Sequence, residues 1–368
     1  MIINASNPPL PSYLDERVYI DCGLKYVNGV APLLCNFEHP PFAKYVIGIF
    51  TIITLSRFLY IATCVASSFF VYGICGLLGY GKVCFFPAFL LIFDTLYFNT
   101  FRFLLLDPIA ISLSLFGIYL LLKGKSYLSA VFMGLGLASK ASALSVLLGA
   151  VYLAYRDKGY RGSLNYLLIA LAVYFSTYSA DFSLGLDAII NHHIDMYKYM
   201  SWRHGFSLPI ALNGLLKLLT RVELWRYAGE LNAVITSVDG SFEILDQAFT
   251  PASKVLVVVG IGLGSFLWYL FIPSLLYTTY LALTRASDQK LSAVVALSWL
   301  SLINVLAGPL DWYYVNVLPF LYLNACIALF RAFTYKFKYV AFFFSAIQVV
   351  LFVATALGVI PYSATIIK

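Results

Sequence analysis

Residues 101–122 read FRFLLLDPIAISLSLFGIYLLL. Beyond Phe103 the one charge is Asp107, and the remainder is apolar or small. About 20 such residues match one helical crossing of a bilayer at 1.5 Å per residue. The apolar residues do not alternate with polar ones, as a lipid-facing barrel strand requires. They are apolar all round, unlike the stripe of a soluble surface helix. This stretch is therefore a membrane-spanning helix with an ionisable group near its start.

The pattern repeats in both directions. The 368 residues are 61% hydrophobic and 11% charged, against about 25% charged in an average soluble domain. Spans are predicted at Arg57–Gly79, Val83–Thr100, Phe103–Leu122, Tyr127–Ser139, Ala141–Tyr155, Ser163–Ala180, Lys254–Leu283, Leu291–Gly308, Trp312–Phe330 and Tyr339–Ile360. That is about ten crossings. Ahead of them, His39–Ser56 reads as a short helix entering the membrane surface, with Pro40 and Pro41 at its start. The expected fold is all-α, polytopic and a single membrane domain over 1–368. Its parts are an outer loop and interfacial helix (1–56), helices (57–180), a large outer loop with amphipathic helices (181–253) and further helices (254–368).

Lysine and arginine fix the expected orientation. If the N-terminal segment lies outside, the inner loops carry Lys82, Lys123, Lys125, Arg156, Lys158, Arg161, Arg285, Lys290, Arg331, Lys336 and Lys338. Alternate short loops are thus basic, as the positive-inside rule requires. The formal net charge of +7 reads as these loops, with no nucleic acid as partner. Both the N-terminal segment and the 181–253 segment then face outward, in a multi-pass protein of the plasma membrane.

Of six cysteines, Cys64, Cys75, Cys84 and Cys326 sit in apolar runs and read as small buried hydrophobes. Cys22 and Cys35 share the polar N-terminal segment, where a disulfide is open. The first 40 residues lack the apolar core of a signal peptide.

The chemistry gathers at the expected outer face. Residues 13–44, YLDERVYIDCGLKYVNGVAPLLCNFEHPPFAK, hold Asp15, Glu16, Glu38, His39 and Lys44. Arg102, Asp107 and Lys140 lie at helix ends, and Asp94 inside a predicted span. An ionisable group within a span costs about 2.5–3.5 kcal/mol on insertion scales, so it needs a partner or a task. Asp94 reads mainly as a packing lock. In the second outer segment, INHHIDMYKYMSWRHG carries His192, His193, Asp195, Arg203 and His204. His193 and Asp195 have ligand chemistry, but solvated loop residues are the commoner case, and no metal or other cofactor is expected.

Carboxylates at a membrane surface above a set of cations suit one reaction well. A lipid-phosphate sugar would place its phosphate among the cations and its sugar by the carboxylate. Transfer needs a base for the acceptor hydroxyl and cations for the leaving phosphate. Asp15 or Glu16 is the expected base. Lys44, Lys140, Arg102 and Arg203 are the expected phosphate side.

At this point the sequence resembles the dolichyl-phosphate-mannose protein mannosyltransferases and the wider GT-C class of membrane glycosyltransferases. LDERVY (14–19), EHPPFAKYVIG (38–48), FRFLLLDPIAISLSLFGIYLL (101–121) and GLGLASKASAL (134–144) resemble family motifs in the family's order. MYKYMSWRHGFSLPIAL (196–212) is a weaker match that keeps His204 and Ser207. The resemblance implies about eleven helices, a polyprenyl-phosphate-mannose donor, inversion at the anomeric carbon and metal-independent transfer. It makes Asp15 the base and Glu16 its acidic neighbour. Glu38, His39, Lys44, Arg102, Asp107, Lys140 and Arg203 fall on the donor side. The acceptor is a protein Ser/Thr or a surface glycan, and some members work as dimers. The family also has a helix before the Asp-Glu segment, which would complete the ten spans, and its eukaryotic members add a soluble MIR domain. Lacking these, the chain is expected to be a short prokaryotic or archaeal type. A lipid-linked-sugar transporter and a catalytically decayed assembly subunit are the competing readings. The first would show charges near the bilayer centre rather than at one face.

Overall fold

The computed structural model describes residues 14–203, 208–220, 225–227, 249–251, 255–258, 265–284, 289–306, 311–357 and 364–367. The segment expected to be a catalytic loop is largely a helix, α1 (Leu14–Val27). Its sequence explains why. Asp15 and Glu16 stand in the first turn and Lys25 in the last, the arrangement the helix dipole favours. Asp21 and Lys25 add an (i, i+4) ion pair at 2.8 Å. A 3₁₀ turn, Pro32–Leu34, follows. Then α2 (Phe42–Ile52) starts directly after Pro41, as the paired prolines require.

α1 packs on α2, and the two backbones meet at glycines. A Cβ on Gly23 would lie 2.4 Å from the Lys44 carbonyl oxygen, and one on Gly48 would lie 2.2 Å from the Gly23 carbonyl oxygen. The crossing therefore requires glycine on both sides.

α3 (Ser56–Leu77) is the first long apolar helix. The span expected over Val83–Thr100 is broken. α4 (Phe85–Ile92) ends before Asp94, and α5 (Thr95–Thr100) restarts after it. Asp94 accepts the Tyr97 N–H at 2.9 Å as N-cap, and its other oxygen accepts the Trp268 indole N–H at 2.9 Å and the Tyr322 hydroxyl at 2.7 Å. An interior carboxylate so satisfied ties the N-terminal half to the C-terminal helices. The packing role expected of Asp94 is what it performs.

α6 (Leu106–Leu122) begins after an irregular stretch through Leu105. It packs between α3 and α7 (Ser126–Ser139). Lys140 is extended, and α8 (Leu144–Ser176) follows. The spans expected at Ala141–Tyr155 and Ser163–Ala180 are the two arms of α8. They are joined at Gly159, whose φ of 68° few other residues adopt. The second large segment supplies α9 (Leu186–Arg203) and α10 (Leu208–Thr220).

The C-terminal helices are α11 (Phe271–Thr284), α12 (Gln289–Leu306), α13 (Asp311–Tyr314), α14 (Leu318–Phe333) and α15 (Phe337–Ala356). The all-α expectation needs two additions. β1 (Trp225–Tyr227) pairs antiparallel with β2 (Phe249–Pro251), and β3 (Val255–Val258) pairs antiparallel with β4 (Ala364–Ile367). The start of the span expected at Lys254 is thus a strand. Its β-branched VLVV suits a ladder, and helical structure begins at Phe266.

Among the described residues three helical stretches are long and apolar enough to cross a membrane: Ser56–Leu77, Phe266–Thr284 and Phe337–Ala356. Other apolar helices run 10–17 residues. The breaks at Asp94 and Lys140 account for some of the shortfall against about ten. Cysteine pairing also departs from expectation. Cys22 and Cys35 form a disulfide, and so do Cys75 and Cys84, which read as separate buried thiols. Cys64 and Cys326 are free and buried.

Candidate active site

A small apolar cluster of Tyr19, Ala43, Ile47, Tyr60 and Phe103–Leu106 seats α1 and α2 on the starts of α3 and α6. It sets the two acids of α1 in different surroundings. Glu16 is 1% exposed and forms an ion pair with Arg57 at 2.9 Å. Arg57 also donates to the Arg102 carbonyl at 3.1 Å, and the Leu104 N–H points at Glu16 at 3.4 Å. Glu16 is therefore an anchor between α1, α3 and the stretch before α6. Asp15 is half-buried, with no ion-pair partner among the described residues.

Below them lies a second pair. Lys140 and Asp107 meet at 2.6 Å with side chains 5% and 2% exposed. Asn316, at the end of the α13 turn, donates to the other Asp107 oxygen at 3.0 Å. Lys140 Nζ stands 4.9 Å from the centre of the Tyr313 ring. A buried ion pair persists when its remaining lone pairs and protons are met this way.

Tyr19 is buried in the same cluster. Burial pushes its phenol pKa well above the usual value, and the carboxylates of Asp15, Glu38 and Asp107 push it further. His39 packs edge-on to the same ring at 5.9 Å. Asp15, Glu38, His39 and Asp107, with Lys140 bonded to the last, thus converge on one tyrosine.

Lys44 stands apart. It is fully buried, and its Nζ donates toward the Asn36 carbonyl (2.6 Å), the His39 carbonyl (2.8 Å), the Asn36 side-chain oxygen (3.1 Å) and the Tyr26 hydroxyl (3.2 Å). Burial lowers its pKa to about 7, against the raising influence of Glu38 and Asp181. Its donors point into the 36–39 loop, a different position from the phosphate side expected of it. Arg102 is buried beside Asn99, to which it donates at 3.3 Å. Arg203 closes α9, and its side chain lies outside the described residues, as do His204 and Ser207.

Residues 181–199 clasp the segment between α1 and α2. Asp181 accepts the Leu33 N–H at 2.9 Å. Phe37 packs edge-on to Tyr199 at 6.0 Å and to His192 at 6.4 Å. His193 bonds the Tyr174 hydroxyl at 3.1 Å and the Ile189 carbonyl at 2.8 Å, while Asp195 faces Lys198 at 3.5 Å.

Sequence reasoning missed Arg57, Asn316, Tyr313 and Asp181. Arg57 resembles any snorkelling residue at a span end. Asn316 and Tyr313 meet the site across the whole chain, which no local pattern signals.

No family model and no curated protein matches this sequence. Among solved structures, the fold is similar to ArnT from Cupriavidus metallidurans. The apo form gives a TM-score of 0.50 and the form bound to undecaprenyl phosphate 0.54. Identity is 16% in both, over 86% of this chain and 55% and 56% of that protein. The archaeal oligosaccharyltransferase AglB from Archaeoglobus fulgidus, in complex with an inhibitory peptide and a dolichol-phosphate, aligns with TM-score 0.46 and 14% identity, over 97% of this chain and 49% of that one. The chain spans about half the length of these proteins. What it shares with ArnT is the fold.

Proposed function

We propose that this chain is an inverting glycosyltransferase. It moves mannose or another hexose from a polyprenyl-phosphate sugar to a protein Ser/Thr or a surface glycan, at the extracytoplasmic face of the plasma membrane. One observation carries the reading. Asp15, a half-buried carboxylate with no ion-pair partner among the described residues, and the buried Asp107–Lys140 pair both act on Tyr19, on a fold shared with a protein crystallised with undecaprenyl phosphate.

In this reading Asp15 accepts the proton of the acceptor hydroxyl. That oxygen attacks the anomeric carbon, whose bond to the phosphate oxygen breaks on the opposite side. Polyprenyl phosphate leaves with the bonding electron pair, and the configuration inverts. Asp15 suits the base because it is partly open and not held by a cation, whereas Glu16 is bound to Arg57. Arg102, joined to Arg57 through its carbonyl, supplies positive charge for the leaving phosphate. Phosphate leaves readily without a general acid, so one well-placed base serves.

The test is incubation of purified protein in lipid with polyprenyl-phosphate-mannose, with mass spectrometry of peptide and glycan acceptors. A mannosylated product is expected. If no polyprenyl-phosphate hexose is consumed, the function assigned here is wrong.

A further inference from the structure

The loop between α1 and α2 contains one backbone position that its residue type does not favour. Asn36 has φ of 52°, in the left-handed region. Asparagine tolerates that region better than most residues, but glycine occupies it most readily. The side chain explains asparagine's presence. Lys44 Nζ holds both the Asn36 carbonyl at 2.6 Å and its side-chain oxygen at 3.1 Å. With the amide oxygen gripped, the amide nitrogen points the other way and donates to Glu38 Oε1 at 3.0 Å. Asn36 and Glu38 are each 8% exposed, and Lys44 is fully buried.

We infer that Lys44, Asn36 and Glu38 form a relay in which Asn36 is a positioning residue, fixing the Glu38 carboxylate for the transferred sugar at the end of the loop where His39 packs on Tyr19. The inference rests on the transferase reading above. Lys44 fixes which end of the Asn36 amide is oxygen. Asn36 then presents one N–H to one Glu38 oxygen, fixing that carboxylate next in sequence to His39, whose ring meets Tyr19 at 5.9 Å and whose carbonyl Lys44 also holds. The Cys22–Cys35 disulfide ties α1 to the residue just before Asn36, so the relay stands on a fixed base. Two donor–acceptor steps thus carry the position of a buried ammonium to the Glu38 carboxylate. A lysine that reads in sequence as a phosphate clamp acts here through two other residues.

The backbone supplies a discriminating substitution. Asn36→Gly suits a φ of 52° better than asparagine does. A purely structural asparagine would therefore be replaced with no loss of fold or turnover. The relay instead requires a fall in kcat/KM of about tenfold or more in the folded protein, beyond any change in thermal unfolding. Glu38→Gln should give a similar fall, and Asn36→Gly combined with Glu38→Gln should be no worse than the poorer single variant. Asn36→Asp keeps the acceptor for Lys44 but places an anion against Glu38, and should not rescue. Wild-type kcat/KM in Asn36→Gly, or losses that multiply in the double variant, would overturn the relay. Turnover by the wild-type protein is the separate control for the transferase reading. Without turnover, the same cycle read by thermal unfolding decides the relay: additive effects of Asn36→Gly and Glu38→Gln overturn it, and coupled effects support it.

Discussion

Glu16 is bound to Arg57 at 2.9 Å, while Asp15, its neighbour in sequence, has no ion-pair partner among the described residues. One residue step along the helix, about 100° of rotation, thus separates an anchor from a candidate reactive group. Asp15→Asn should fold and insert normally and lose about 10²–10⁴-fold in transfer, the usual contribution of a general base. Glu16→Ala should instead lower stability. Because Arg57 is 25% exposed, the loss should be about 1–3 kcal/mol, below that of a fully buried pair. Thermal unfolding together with turnover separates the two, and equal effects of both variants on both readouts would contradict the division.

The Asp107–Lys140 pair should behave as a unit. Lys140→Met leaves Asp107 buried without its cation, which should cost about 3–5 kcal/mol. Adding Asp107→Asn to Lys140→Met should recover part of that loss, since no charge is then stranded. A double variant at least as unstable as the sum of the singles would contradict the coupling.

Acid should loosen the clasp between α9 and the loop that joins α1 to α2. Burial lowers the His192 pKa to about 3 from 6.5, with His193 and Lys44 adding to the effect. Between those values the unfolded chain binds a proton that the folded chain does not. Stability therefore rises with pH across this window and falls on acidification below about 6.5. His192→Phe should flatten that part of the unfolding profile between pH 4 and 7. An unchanged slope would rule out His192 as its source.

The helix crossing at Gly23 should tolerate no side chain. Gly23→Ala puts a methyl 2.4 Å from the Lys44 carbonyl oxygen, an overpacking of backbone rather than of a flexible side chain. The expected cost is about 1–3 kcal/mol. Gly29→Ala meets no atom within 4 Å. Its φ of 88° still imposes strain, so it serves as the control for conformational cost alone. Equal melting of the two variants would show that the close approach carries no penalty.

The membrane class and much of the helix order were legible because apolar runs and charge breaks are local signals. So was the importance of Asp107 and Lys140, since buried charges in apolar sequence need partners. The helical state of residues 14–27 was obscured by their polarity, although the acid-first, lysine-last order is a helix signature. The break at Asp94 depends on Trp268 and Tyr322, far along the chain, and so could not be seen from FLLIFDTLYF. Lys44 misled for a related reason. Its charge was visible, but the carbonyls that receive it are a product of the folded loop.

Asn316 and Asp107 are 209 residues apart in sequence. A ribosome has therefore made most of the chain before the Asp107–Lys140 pair receives its third partner. Until the last helices are made, that pair must persist half-finished. Completion of the site is thereby tied to completion of synthesis, so a stalled or truncated product would carry the acids without the pocket that directs them.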